Sequence, residues 1–310
     1  MKPKMKTSTI LRRAVTVVLA VLFFSTYSYA QEVKYNDSWS GQGFTLAASE
    51  NANVRVLHSV NSFNFNAVEI NGEDMTVVTM PGVMLPNNEG APNLPGEARY
   101  LAMPVGAIPK LNIVRMQVES FQNVEVAPSP VIPFEDDDSP MVYEKDMAIY
   151  GQDAFYPANP VMISEPTSIR GVDVVLLGIT PFQYNPVTKE LLVLRDIEVE
   201  VEFEGGNGQF GDTRYRSRWW DPIMADALLN YSSLPEVDYN WMHMDGKASG
   251  DGCEYLIISP TGTDYVTWAN TIADFRNKQG ILTQVVTLDE VGGNSTYNIE
   301  SYINDAYNNW

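Results

Sequence analysis

The sequence predicts two folds in one chain: a mostly β amino-terminal domain, sandwich-like or a barrel, followed by an α/β unit reading strand-helix-strand-helix. Three observations predict this. From Gln31 to Phe203, short runs rich in Val, Ile, Phe and Tyr alternate with turn signals such as Asn71-Gly72, Pro81-Gly82 and Asn185-Pro186. From Gly252 onward the pattern changes to a short apolar run and then helical spacing. Between them, Met244 to Gly252 is polar and built from small residues, which reads as a linker.

The chain begins with an address. Lys2, Lys4, Lys6, Arg12 and Arg13 precede an apolar run from Ala14 to Phe24, broken by Thr16 and too short to span a bilayer. Ser28-Tyr29-Ala30 offers the small residues a signal peptidase reads, so cleavage is expected between Ala30 and Gln31. Export through a cleaved signal implies a secreted or cell-surface protein without a stable membrane anchor. The alternative is a retained anchor. Loss of five positive charges takes the formal charge from −19 to −24.

In the β region, Asn53 to Leu57, Asn66 to Ile70 and Met75 to Met80 read as strands. Leu111 to Val118 alternates with one slip, the mark of a bulge. Ile132 to Pro160 has no period. It carries Glu135-Asp136-Asp137-Asp138, and its one basic residue is Lys145. Loops this long in compact domains are often functional. The acidic run lacks the spaced ligands and glycine of an EF-hand, so it reads as solvated. Val172 to Phe203 reads as a hairpin turning at Asn185 to Lys189, its second arm apolar on one face and carrying Glu198, Glu200 and Glu202 on the other. Ile223 to Tyr231 reads as a short helix. Thr213 to Arg218 holds Arg214, Arg216 and Arg218, the basic cluster of the exported part and a candidate for proteolytic processing.

In the α/β unit, Glu254 to Ser259 suits a strand buried on both faces. Trp268, Ile272 and Phe275, flanked by Ala269 and Ala273, predict a helix ended by Gly280. Ile281 to Thr287 reads as a second strand, and Ile299, Ile303, Ala306 and Trp310 as an amphipathic helix started by Ser295 or Thr296. Two strands leave edges and faces uncovered, so the chain is expected to stop inside a domain. The domains read as 1–30 signal, 31–204 β domain, 205–251 linker and processing region, and 252–310 incomplete α/β start.

Composition excludes some functions. Asp and Glu number 39 against 20 Lys and Arg, which argues against nucleic acid as a partner. Cys253 is the single cysteine and permits no internal disulfide. His58 and His243 lie in no motif, so Cys253 reads as structural.

Three stretches together resemble the gingipain-type cysteine peptidases. Gly90-Ala91-Pro92-Asn93-Leu94-Pro95 with Tyr100 to Ala107 is similar to a propeptide signature, and Arg170-Gly171, Ile179 to Thr188 and the Glu198 to Phe203 strand to its closing hairpin. Tyr255 to Ser259, Phe275 to Ile281 and Ile299 to Tyr307 are similar to the first βαβα of the catalytic domain. The resemblance implies a secreted zymogen, with a β-sandwich prodomain for latency and folding ahead of a caspase-like peptidase using a His–Cys dyad. It implies the chain's own catalytic domain as partner and proteins as the parent's substrates. It places the dyad after later strands, so no catalytic residue is assigned here, the chain alone is expected to be inactive, and no cofactor is implied. Ca²⁺ stays open for the parent, unassigned. It also implies that a pro-loop with a basic residue can occupy a specificity pocket, which makes Lys145 the candidate inhibitory residue. The competing reading is a secreted adhesion or carbohydrate-binding module, which exposed Tyr150, Phe155 and Tyr156 would suit.

Overall fold

The computed structural model describes residues 31–50, 53–84, 88–237, 239 and 252–309. The signal and its cut at Ala30, together with His243, lie outside the described residues; Gln31 opens the first strand. The chain forms two compact units, divided after Val237.

The first unit is built on strands. β1 (Gln31–Lys34), β4 (Ser62–Ile70) and β5 (Glu73–Thr79) form one sheet in the order β1-β4-β5. A second sheet joins β6 (Glu97–Ala102), β10 (Val172–Ile179), β8 (Val161–Ile163) and β9 (Thr167–Ile169), with β10 in its middle. The third contains β2 (Gly43–Glu50), β3 (Asn53–Ser59), β7 (Ala107–Phe121), β11 (Phe182–Asn185) and β12 (Glu190–Gly205).

β12 is the strand the others share. Along one edge it pairs antiparallel with β7 from Leu191 to Gly205. Its first half also pairs with β11, and its second half with β3. Its first half supplies Leu191 and Val193 to a core with Phe63, Val78, Phe182 and Tyr184. Its second half supplies Ile197, Val199, Val201 and Phe203 to a different core, with Val54, Leu101, Val175 and Leu177. The register slips between Leu194 and Asp196, so one extra residue, Arg195, sits in the strand. Because side chains alternate with period two, one extra residue carries every later odd position to the opposite face. Asp196 pins the slip: fully buried, its Oδ1 accepts from Trp39 N at 2.8 Å and Ser59 Oγ at 2.6 Å.

This corrects the sequence reading in two ways. Leu191 and Val193, then Ile197, Val199, Val201 and Phe203, all fall on odd positions with only Arg195 interrupting them, yet they face two cores. The hairpin around Asn185 to Lys189 has β11 as its first arm, whereas Val172–Ile179 belongs to the second sheet. Pro181 divides the two, since proline cannot continue a ladder. The glutamate face is also not simply solvated. Glu198 is buried and accepts from Arg115 Nε at 2.5 Å, with Arg55 Nε at 3.5 Å, while Glu200 accepts from Arg55 at 3.1 Å.

Residues 205–237, read from sequence as the start of a linker, are instead built into the β unit. α2 (Asp221–Ala227; α1 is the turn Met147–Tyr150) and the chain after it place Met224, Leu228 and Leu234 in a buried cluster with Ala102, Val172, Val174 and Phe210. Asn230, fully buried, clips this segment to β6 by donating to Ala102 O and accepting from Ala102 N at 2.7 Å. The apolar positions are too few and too widely spaced to announce this packing.

The second unit matches the predicted order. β13 (Tyr255–Ser259) and β14 (Thr283–Thr287) pair in parallel, joined by α3 (Thr263–Lys278). Gly280, at φ +81°, takes the left-handed turn that follows the helix. α4 (Leu288–Val291) starts with a capping box between Thr287 and Glu290, and α5 (Thr296–Asn309) follows Gly292 and Gly293. The buried residues of α3 are Ala269 and Ala273, while Trp268, Ile272 and Phe275 stay exposed, Trp268 at 69 %. This reverses the expected packing stripe. Small alanines let the helix approach the narrow two-stranded sheet, and the bulky row falls beside it.

Two outcomes follow. Met224→Ala is expected to cost about 2–5 kcal/mol by denaturant unfolding, the range for truncating a buried methionine, and ending the β unit at Glu204 should cost more than ending it at Val237. Residues 252–310 alone should show no cooperative thermal transition as a monomer, because Ile257, Val285 and Ile303 remain partly or largely open.

Candidate functional site

The aperiodic stretch after β7 divides into a projecting tip and an anchored base. Val131 and Val142 bridge antiparallel, Val131 N donating to Val142 O at 2.8 Å. That neck closes off Ile132 to Met141. Phe134 in the tip is 85 % exposed, and Glu135, Asp136, Asp137 and Asp138 around it are exposed too. Ser139 N donates to Asp137 Oδ1 at 2.9 Å, and its hydroxyl and backbone hydrogen bonds hold the Asp137 carboxyl below the usual range. The tip carries no basic residue.

Beyond the neck the chain is tied to the β unit. Asp146 N donates to Gly90 O at 2.9 Å, and its side chain caps α1 through Ala148 N at 2.8 Å. Tyr150 is buried and donates to Val126 O at 2.9 Å. Tyr156 exchanges backbone hydrogen bonds with Tyr184. Of the aromatics an adhesive surface would need, Tyr150 is therefore core, and Phe155 and Tyr156 are half-buried.

Lys145 belongs to this base. Its Nζ lies 2.9 Å from Glu73 Oε2 and 3.1 Å from Glu125 Oε1, and 5.5 Å from the Tyr150 ring centroid. Burial favours the neutral amine, but the hydrogen bonds and charges of Glu73 and Glu125 outweigh it and raise the Lys145 pKa. Burial likewise pushes Glu125 up, but Lys189 and Lys145 outweigh it and hold the carboxyl below its ordinary value. Lys145 is thus held in ion pairs rather than freely solvated. It staples the base of the loop to β5 and to the segment after β7.

The three candidate processing arginines are placed differently. Arg216 is buried and clamps Asp221 through Nε at 2.6 Å and Nη2 at 2.8 Å, donates to Tyr231 Oη at 3.0 Å and reaches Pro235 O at 3.4 Å. A bond held this way is a poor protease site without local unfolding. Arg218 is half-buried with its guanidinium 4.8 Å from the Trp219 ring centroid, and Arg214 sits in a 3-10 turn, Thr213–Tyr215.

No described group arms Cys253. Burial pushes its thiol up, against hydrogen bonds from the Gln284 and Tyr255 backbones. His58, the one described histidine, is sealed in the β core with Nε2 2.9 Å from Glu97 Oε1. Among the described residues no group of three or more His, Cys, Asp and Glu could hold a metal, and no described helix is long and apolar enough to cross a membrane. The neck was invisible in the sequence, because Val131 and Val142 are separated by ten residues without period.

The ion pairs give the base a pH signature. The depressed Glu125 contributes stability above its unfolded pKa, lost as pH falls through the folded value. The raised Lys145 contributes below its unfolded pKa, lost as pH rises through the folded value. Lys145→Ala should therefore lower stability by about 1 kcal/mol near neutral pH. The gap should close below about pH 4 and above about pH 10.5. Thermal melts of both proteins across pH check this; a gap unchanged in acid would contradict it.

Comparison with known proteins covers both units. The family model Propeptide_C25 matches residues 40–233, and that of peptidase family C25 matches residues 248–310. Lys-gingipain HG66 of Porphyromonas gingivalis is 24% identical over 259 residues, 80% of this chain and 15% of the relative. Gingipain R2 of Porphyromonas gingivalis strain ATCC BAA-308 / W83 is 23% identical over 269 residues, 84% of this chain and 35% of the relative. The chain thus spans about a sixth to a third of the length of these relatives. Among solved structures, the complex of Porphyromonas gingivalis RgpB pro- and mature domains has a TM-score of 0.54 at 24% identity, covering 62% of this chain and all of that one. With the propeptide match spanning well over half of its length, and the peptidase match following in order, the chain belongs to the gingipain-type cysteine peptidase family C25, as a propeptide joined to the start of the peptidase domain.

Proposed function

We propose that this chain is the amino-terminal part of a secreted cysteine endopeptidase zymogen, in which the β unit keeps the peptidase latent and assists its folding. The observation that carries the reading is the closed excursion Ile132 to Met141, presented from a rigid β body by the Val131–Val142 neck and the Lys145 staple. A loop held in one conformation before binding loses little entropy when it enters a cleft. A shared fold with the solved complex of RgpB pro- and mature domains supports the partner assignment, the chain's own catalytic domain. Hydrolysis of protein substrates requires a thiolate and a positioned base, and no residue of this chain is assigned to that dyad.

Within this reading Lys145 belongs to the inhibitory loop as its anchor, and the tip makes the contact. Added in trans, the β unit should inhibit the mature parent peptidase. Replacing Phe134 to Ser139 with glycine and serine should weaken inhibition by tenfold or more, the scale of a lost hot spot. Lys145→Ala should weaken it by less than tenfold. The opposite order would make Lys145 the residue that enters the cleft. Absence of inhibition at micromolar concentration would remove the latency role.

Maturation, on the same reading, separates the two units. The clamp at Arg216 opposes cleavage there, which shifts the expected cut beyond Pro235. Lys247, the basic residue between Asp238 and Asp251, lies outside the described residues. Amino-terminal sequencing of the mature enzyme should find a terminus after Pro235. A terminus immediately after Arg216 would overturn this placement and favour the arginine cluster.

A further inference from the structure

β7 is the feature that neither the fold nor the latency role explains. Among the described residues its ladder partner is β12 alone, so one edge of a fifteen-residue strand carries unpaired backbone groups. Its side chains are open as well: Ile113, Val114, Met116 and Val118 are each 42 % to 49 % exposed. Long apolar edges of this kind template the addition of another strand, and proteins usually blunt or cover them.

The register with β12 sorts β7 into two faces. Leu111, Ile113, Met116 and Val118 lie opposite Val201, Val199, Ile197 and Leu194, four residues of one buried core. They are the uncovered margin of that core. Lys110, Asn112, Arg115 and Gln117 lie opposite Glu202, Glu200, Glu198 and Asp196, with Glu119 next on the same side. The slip between Glu198 and Val199 makes Val114 the extra residue. Without it Ile113 and Met116 would point to opposite faces.

We propose that the β7 edge binds a second copy of this chain, pairing antiparallel with the β7 of its twin about a two-fold axis between Val114 and Arg115. The strand is complementary to itself in that one register. Leu111 falls opposite Val118, and Ile113 opposite Met116, on the core face. Lys110 falls opposite Glu119, and Asn112 opposite Gln117, on the other. Directly opposed residues in an antiparallel pair share a face, and the face assignment from β12 satisfies this at all four pairs. A two-fold interface requires such matching of a surface with itself. The contact extends the five-stranded sheet across the axis, covers the margin of the core and turns two exposed edges into one interior ladder. Pro109 has no N–H to offer and limits the pairing to Lys110 through Glu119.

The contact is short, so dimerisation is expected on the order of ten micromolar. Sedimentation velocity of the full chain over a concentration series tests it. Lys110→Glu and Glu119→Lys should each weaken dimerisation at least tenfold, by setting like charges face to face across the axis. An equal mixture of the two variants should regain it, because in the mixed pair both contacts again join Lys to Glu. In the monomer Lys110 pairs with Glu204, and Glu119 lies against Tyr35; regained dimer in the mixture separates the interface effect from any loss at these contacts. Met116→Lys, a charge on the apolar margin, should abolish pairing. A chain that stays monomeric throughout, or a dimer indifferent to all three substitutions, overturns the proposal. It also falls if the β7 amides are protected from hydrogen exchange by the parent peptidase and never by raising the concentration of the chain itself.

Discussion

One extra residue in one strand organises the β unit. Were Arg195 an ordinary paired position of β12, Leu191 and Val193 would share a face with Ile197 through Phe203, and a single sheet could serve only one apolar layer on that side. With it, one strand walls two cores, the first against β4 and β5, the second against β6 and β10. The insertion must be held in place, because a slipped register would bury Glu198, Glu200 and Glu202 where the core requires Val and Ile. Asp196 does this by accepting from the chain ahead of β2 and from β3. A buried carboxylate is costly unless it is bonded, and Asp196 meets that condition at the point where register is decided.

The same economy governs the outer face of β12. Its glutamates would repel one another in a bare row. Arg55 from β3 and Arg115 from β7 reach across from either side and pair with them. An acidic chain thereby spends two of its few arginines on the strand that both cores share. Lys145 does the equivalent for the loop, tying its base to Glu73 of β5 and to Glu125 after β7. In each case a scarce cation stands where several acidic positions converge, and the tip beyond the neck is left acidic and unpaired by any basic neighbour in its own sequence.

Much of this was legible before the structure. The period-two runs located β3, β4, β5 and β12, and the change to helical spacing located α3 and α5, because each signal is local. The slip in Leu111 to Val118 announced the bulge at Val114. What escaped were features that depend on distant partners. The assignment of Val172–Ile179 to another sheet depends on β6, far earlier in the chain, where Glu97 to Ala102 lie opposite Ile179 to Val174. In β12 the apolar residues on both sides of the bulge sit at odd positions, so the bulge shows in the sequence only as the polar Arg195 between Val193 and Ile197. In α3 the bulky residues drew attention from the alanines, although a two-stranded sheet has room only for the smaller row. At the candidate site the length and acidity of the loop were visible, but the division into tip and base was not, since it rests on the pairing of Val131 with Val142 and on Lys145 meeting Glu73.

The packing of Met224, Leu228 and Leu234 against β6 and β10 sets a condition on how the protein is made. Domains generally fold as units, amino-terminal ones first where the chain becomes available from that end. Here the last strand of the β unit ends at Gly205, yet the residues that seal its third cluster arrive only by Leu234. The unit therefore cannot close when its sheets are complete. It needs a further stretch of chain, and that stretch is complete at Leu234, before Tyr255 begins β13. Chain order alone therefore lets the β unit close before any residue of β13 follows it.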